Sequence, residues 1–228
     1  MLELDVLLPD FRSIMTAVPG TLFRAVIVFM LSTIIGSLFA LVEYRNIPVL
    51  RQLVIAYKVI FKGVPMVIVI FLAYYGLPMV INFFGGLVGS DVNGHLLPNV
   101  VTLIFALTAC VSAFQAEVVK GALNSFDTGQ SDAAASLGYT SRQMFRRIMF
   151  PQIIVAAIPD LANSFMVITK ALSLGFAIVV VDIFAQAQLT AALNYYFLEA
   201  FLVAVVIYMV IAYLVTLLAD RTEKALRV

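Results

Sequence analysis

The feature that most constrains this 228-residue chain is a series of long apolar runs, separated by short stretches that are either rich in Lys and Arg or devoid of them. Membrane-spanning helices are expected at about residues 22–42, 59–83, 96–119, 153–181 and 199–219, each long enough for the ~20 residues that cross a hydrocarbon core. Lipid offers backbone groups no hydrogen-bond partner and nothing in the pattern suggests a closed barrel, so the expected fold is an all-α integral membrane protein of about five transmembrane helices. Composition agrees: 63% of residues are hydrophobic, 12% are charged, and the mean hydropathy is +1.07. A single membrane domain over 1–228 is the simplest organisation.

Orientation is set by the basic residues. Arg45, Arg51 and Lys58 fall between the first two runs with Lys62 at the start of the second, Lys120, Arg142, Arg146 and Arg147 between the third and fourth, and Arg221, Lys224 and Arg227 after the fifth. Residues 84–95 and 182–196 contain no Lys or Arg. The expectation is an amino terminus outside and a carboxyl terminus in the cytoplasm. Residues 1–20 carry Glu3, Asp5 and Asp10 without a signal-type apolar core, so they are read as part of the mature chain. Tyr44, Tyr57, Tyr195 and Tyr196 lie near span ends, where ring hydroxyls can sit among headgroups. Cys110 lies inside an apolar run and reads as a small core residue. A net charge of +1 gives no reason to expect nucleic acid as a partner.

Residues 124–151 are too polar to be inserted and too patterned for a passive linker. A first short helix should begin near Asp127 or Thr128 and stop at Gly138, which can adopt the left-handed conformation that ends helices. A second should start at Thr140, with Gln143 completing a capping box. In it Met144, Phe145, Ile148 and Met149 recur at helical spacing, so it can lie on a membrane face or pack on other helices. Pro151 marks the start of the fourth span.

The spacing Asp132-Ala133-Ala134, three residues, Gly138, nine residues, Ile148, one residue, Phe150-Pro151 resembles the EAA loop of ATP-binding-cassette importer permeases, with Asp132 in place of Glu and Phe150 in place of Leu. Three other segments resemble polar amino-acid permeases: Phe61-Lys-Gly-Val-Pro65, Tyr74-Tyr-Gly-Leu-Pro78 and Ala116-Glu-Val-Val-Lys-Gly121. The resemblance implies a type I importer permease whose loop, through Asp132, Ala133, Ala134, Gly138, Ile148 and Pro151, docks on a separate ATPase dimer. It also implies a second permease subunit, identical or related, an extracytoplasmic binding protein, and a bacterial inner-membrane location. Substrate would be a polar amino acid, and the carboxyl half shares some features with cystine permeases. Two departures bear on the substrate site: Lys170-Ala-Leu-Ser-Leu174 lacks the acid of the family's K-D-T-S-L, and Val69 stands where Gln is frequent.

Asp160, Asn163 and Ser164 share one helix face, and Lys170 comes within three turns of them. A charge at the centre of a spanning helix costs about 2.5–3.5 kcal/mol on insertion scales, so these groups should face a cavity or another helix. One reading makes them the lining of a substrate path, with carboxylate and ammonium meeting the two charges of a zwitterion. The other pairs Asp160 within the protein and lets Lys170 snorkel. Glu117 and Lys120 read as structural groups at the cytoplasmic end, and His95 as a solvated loop residue. The chain has no phosphate-binding G-x-x-x-x-G-K-[ST] loop and no paired nucleophile and base, so it is not expected to be an enzyme. ATP and magnesium would be bound by the ATPase subunit, not here. No internal repeat is visible, unlike many secondary carriers; an ion-gradient-driven carrier working as an oligomer is the alternative.

Overall fold

The computed structural model describes residues 3–89 and 93–226; Arg227, one of the orienting charges, lies outside them. Its ten α-helices are, in order, α1 Leu4–Met15, α2 Val18–Tyr44, α3 Leu50–Gly63, α4 Met66–Leu87, α5 Asn99–Asn124, α6 Thr128–Ser136, α7 Ser141–Met144, α8 Phe150–Ala171, α9 Ile183–Asn194 and α10 Phe197–Leu226. Among the described residues, five helical segments are long and apolar enough to cross a membrane, and they contain α2, α4, α5, α8 and α10.

Helix α5 is the hub of the bundle, flanked by α2, α4, α8 and α3. Its pairing with α2 is the most extensive in the molecule, and the sequence of α2 explains why. Thr21, Ala25, Val28, Ser32, Gly36 and Ala40 are all buried and recur every three or four residues. Small side chains in such a stripe let two backbones approach closely, which is how helices associate where lipid removes the hydrophobic driving force. At Gly36 a Cβ would lie 2.7 Å from Gln115 Cβ and 2.8 Å from the Ala116 nitrogen. Leu103, Leu107, Cys110 and Val111 of α5 then fill the core with Ile70, Ile168 and Leu172, and Cys110 is the small core residue expected.

The second expected span differs from the observed one. Its first residues belong to α3, and the spanning helix starts at Met66. Gly63 ends α3, Val64 is extended (φ −91°, ψ 133°), and Pro65 caps the start of α4. A residue before proline is pushed out of the α region, and proline has no N–H to continue the helix. Tyr57 is likewise not a headgroup anchor. Its hydroxyl lies 2.8 Å from the Ala109 carbonyl oxygen, to which it donates, and 3.0 Å from Ser112 Oγ. With its ring between Phe39 and Phe61, it fixes α3 across α2 and α5.

The fourth span ends its α-helix at Ala171 and continues as a 3₁₀ segment, Leu172–Ile178. There Gly175 passes Leu103 so closely that a Cβ would meet Leu103 Cδ2 at 2.5 Å. On this side of the bundle α1 and α9 lie against α10 around Ile14, Ile183, Ala187, Ala200 and Ala204. Ser13 and Thr190 hydroxyls are 2.8 Å apart, and Asn194 donates to Asp10 at 3.1 Å. Asp182 caps α9 by accepting from the Ala185 N–H and from the Tyr208 hydroxyl.

Candidate functional site: a coupling loop and a polar cavity

The loop between α5 and α8 is built as its local sequence dictates. Asp127 caps α6, its carboxylate accepting from the Gly129 N–H at 2.9 Å. At the other end Gly138 takes φ +79°, the Tyr139 N–H donates to the Ala134 carbonyl at 3.1 Å, and the Gly138 N–H donates to that of Ala135 at 2.9 Å. This pair of bonds satisfies carbonyls that a helix end otherwise leaves open. Thr140 and Gln143 form the reciprocal capping box of α7.

Helix α7 gives way to a wide π-helical turn, Phe145–Met149, that runs without a break into α8. Pro151 therefore sits inside a continuous helical segment. Its missing N–H is accommodated by the turn, in which the Phe150 N–H reaches back to the Phe145 carbonyl. Met149 is buried and packs with Ala40, Ala122, Leu123, Ile153 and Ala157. This cluster fastens the loop to the ends of α2 and α5. Ile148 is half-buried.

The opposite face of the loop is open. Asp132, Ala133 and Gly138 are exposed, Ala134 is buried within the chain, and Leu137 is 78% exposed at the point where the backbone reverses. Close approach from outside is thus possible at Ala133 but not at Ala134, whose small side chain instead serves the internal packing. Leu137 was not singled out by the sequence; its exposure depends on the turn geometry around Gly138.

A second feature lies deeper. Asp160, Asn163, Ser164 and Val167 line a cavity of about 440 Å³, faced by Val111, Phe114 and Glu117 of α5 and by Lys62 and Met66 at the α3–α4 break. Asp160 is exposed to this space and has no hydrogen bond or ion pair to any described residue. Lys62 Nζ stands 5.9 Å from the Phe114 ring centroid, over its face. Lys170 does not line this cavity. It is exposed ten residues farther along α8, about 15 Å at 1.5 Å per residue.

Between the cavity and the loop lies an ion network that sequence reading missed. Lys58 pairs with Glu43 and, at 3.0 Å, with Glu117; Lys62 reaches Glu117 at 3.4 Å, and Lys120 pairs with Glu43. Glu43 and Lys58 are each 7% exposed. Burial pulls the Lys58 ammonium pKa down, but the hydrogen bonds and charges of Glu43 and Glu117 outweigh it and hold the group above its usual range. Three helices, α2, α3 and α5, are tied together here. Glu117 and Lys120 are the structural groups expected, and Glu43, an acid among basic residues, was the available signal.

Residues 32–228 match the binding-protein-dependent transport system inner membrane component. The chain belongs to that family. It is 33% identical over 225 residues to the probable amino-acid permease protein YxeN of Bacillus subtilis (strain 168), covering 99% of this chain and 96% of the relative. It is 30% identical over 219 residues to the L-cystine transport system permease protein TcyL of the same organism, covering 96% and 89%. Its fold is that of type I ABC importer permeases. An amino acid ABC transporter crystallised with histidines superposes with a TM-score of 0.82 at 23% identity, over 99% of both chains. The inward-facing MetNI methionine ABC transporter gives 0.72 at 20% identity, over 96% of this chain and 99% of that one.

Proposed function

We propose that this family member is the membrane-spanning permease subunit of an ATP-driven amino-acid importer. The observation that carries the reading is the loop: a capped helix pair anchored to α2 and α5 on one face and open at Ala133 and Leu137 on the other. Such an element receives a rigid-body movement from a partner and passes it to the bundle. The partner is an ATPase dimer, which binds ATP and magnesium and docks at Asp132, Ala133, Leu137 and Gly138, while Ile148, Pro151 and Ala134 hold the loop in shape. The family's description supports a binding protein that delivers substrate. A second permease subunit completes the path, since five spanning segments enclose little. The distribution of Lys and Arg supports a cytoplasmic coupling loop and carboxyl terminus with the amino terminus outside, and the family's description supports a bacterial inner membrane.

The path runs along the α8 face formed by Asp160, Asn163 and Ser164. Asp160 is an unpaired acceptor for the ammonium group of a substrate. Lys170 serves the outer end of the same helix. A polar amino acid is the substrate class, and the similarity to an L-cystine permease makes cystine the first compound to test. The experiment is uptake into proteoliposomes holding the permease, its ATPase and its binding protein. Uptake with ATP and none with a non-hydrolysable analogue is expected; uptake driven by an ion gradient without ATP would replace the reading with a secondary carrier.

A further inference from the structure

On the coupling-loop side of the bundle, a second cavity of about 310 Å³ opens where α3 crosses the ends of α2 and α5. Four cations line it, Arg51, Lys58, Lys62 and Lys120, against two carboxylates, Glu43 and Glu117, which leaves a surplus of two positive charges. The carboxylates are already shared: Lys58 bridges both, Lys120 holds Glu43, and Lys62 reaches Glu117 only at 3.4 Å. Arg51 is exposed and its guanidinium has no hydrogen bond or ion pair to any described residue. The Lys62 and Lys120 side chains keep 37% and 36% of their surface open. The rest of the lining is apolar, Ile55 and Val59, and Leu53 and Ile60 of the same helix are also exposed.

We propose that this cavity is a binding site for the phosphate headgroup of an anionic phospholipid in the leaflet on the coupling-loop side. Helix α3 has the make-up of an interfacial helix: apolar residues open to acyl chains beside cations at headgroup level. Its place supports the depth. Lys58 pairs with Glu43, one residue before the end of α2, and with Glu117, two turns before the end of α5. An anion with an attached apolar tail matches both halves of the lining, whereas a free anion uses only the cations and a protein surface would have to leave the Arg51 charge uncompensated or supply an acid to it. Arg51 and Lys62 grip the phosphate with the guanidinium fork and the ammonium, Lys120 adds charge, and Lys58 remains with its two carboxylates. Occupancy clamps α3 to α2 and α5, next to the ion network that ties those helices together.

The test is native mass spectrometry of the full chain in a non-ionic detergent, titrated with phosphatidylglycerol or phosphatidylcholine of matched chains. Wild type should retain phosphatidylglycerol preferentially. Arg51→Gln, an exposed residue whose loss breaks no internal contact, should lower that preference by about fivefold, and Arg51→Gln with Lys62→Gln by roughly thirtyfold, the loss of two cations at a charged surface. Arg221→Gln with Lys224→Gln removes the same charge from the end of α10 and should leave the preference unchanged. Equal retention of the two lipids by wild type, an Arg51→Gln protein that keeps the full preference, or equal loss in the α10 variant would each overturn the proposal. Displacement of phosphatidylglycerol by inorganic phosphate at matched concentration would show a free-anion site and overturn the lipid assignment.

Discussion

Replacing Gly36 by Ala tests whether the fold rests on the close contact of α2 and α5. The added Cβ would lie 2.7 Å from Gln115 Cβ, 2.8 Å from the Ala116 nitrogen and 2.9 Å from the Gln115 carbonyl carbon. Carbon atoms in contact settle at about 3.5–4.0 Å, so the helices must separate by roughly 1 Å. Two of the three obstructing atoms are backbone, and no side-chain rotation relieves them. Overpacking of this kind costs about 1–3 kcal/mol. For a domain of this size that corresponds to a fall in melting temperature of about 2–12 °C. Gly76, within α4, is the control: a Cβ there meets nothing within 4 Å, and Ala is the better helix former by about 1 kcal/mol. Thermal unfolding of both variants in detergent should show Gly36→Ala destabilised and Gly76→Ala unchanged or slightly stabilised. If Gly36→Ala melts with wild type, the small-residue stripe does not set the approach of α2 and α5, and the packing argument is wrong.

Asp10→Asn should stabilise the contact of α1 with α9 and α10. Burial raises the Asp10 pKa, the Asn194 hydrogen bond lowers it and nearby Glu199 raises it, with a net rise above 3.8. The folded state therefore holds the proton more tightly than the unfolded one, and stability falls as pH climbs from the unfolded value through the raised folded value. Melting curves across that acidic window should slope downward with pH for wild type and less so for Asp10→Asn. Lys58→Met removes the cation shared by Glu43 and Glu117, and breaking such a buried pair costs up to about 3–5 kcal/mol. Reversion of part of that loss in a Lys58→Met, Glu117→Gln protein would confirm the network, and no loss in the single variant would refute it. Thr140→Val should cost about 1 kcal/mol of cap energy and raise amide exchange across Ser141–Met144 while leaving α8 protected. Asp160→Asn should fold normally, because the carboxylate has no internal partner, yet weaken uptake affinity; unchanged affinity and specificity would remove Asp160 from the path.

Legible and hidden features of this sequence divide by contact range. The Gly138 reversal and the Thr140–Gln143 capping box were legible because each depends on residues within a few positions, and the structure has both. The common face of Asp160, Asn163 and Ser164 was legible from helical spacing, and one cavity gathers all three. The break at Gly63-Val64-Pro65 was masked by uninterrupted hydrophobicity, although proline carried the signal. In the sequence Lys58 and Lys62 show only as orienting charges, because the partners of Lys58, Glu43 and Glu117, lie 15 and 59 residues from it, a separation no local pattern spans. For the same reason helical proximity groups Lys170 with Asp160, while the cation that lines the cavity with Asp160, Lys62, comes from another helix.

The central claim is that the loop around Gly138 transmits ATP hydrolysis to the path. The most direct measurement is the ratio of amino acid taken up to ATP hydrolysed, in proteoliposomes of the assembled permease, ATPase and binding protein, for wild type and Gly138→Asp. At φ +79° with open space around it, Gly138 has no packing role, so the substitution strains the turn without disturbing the core. The account predicts an assembled Gly138→Asp complex in which that ratio collapses. An assembled mutant that imports at the wild-type ratio would contradict it.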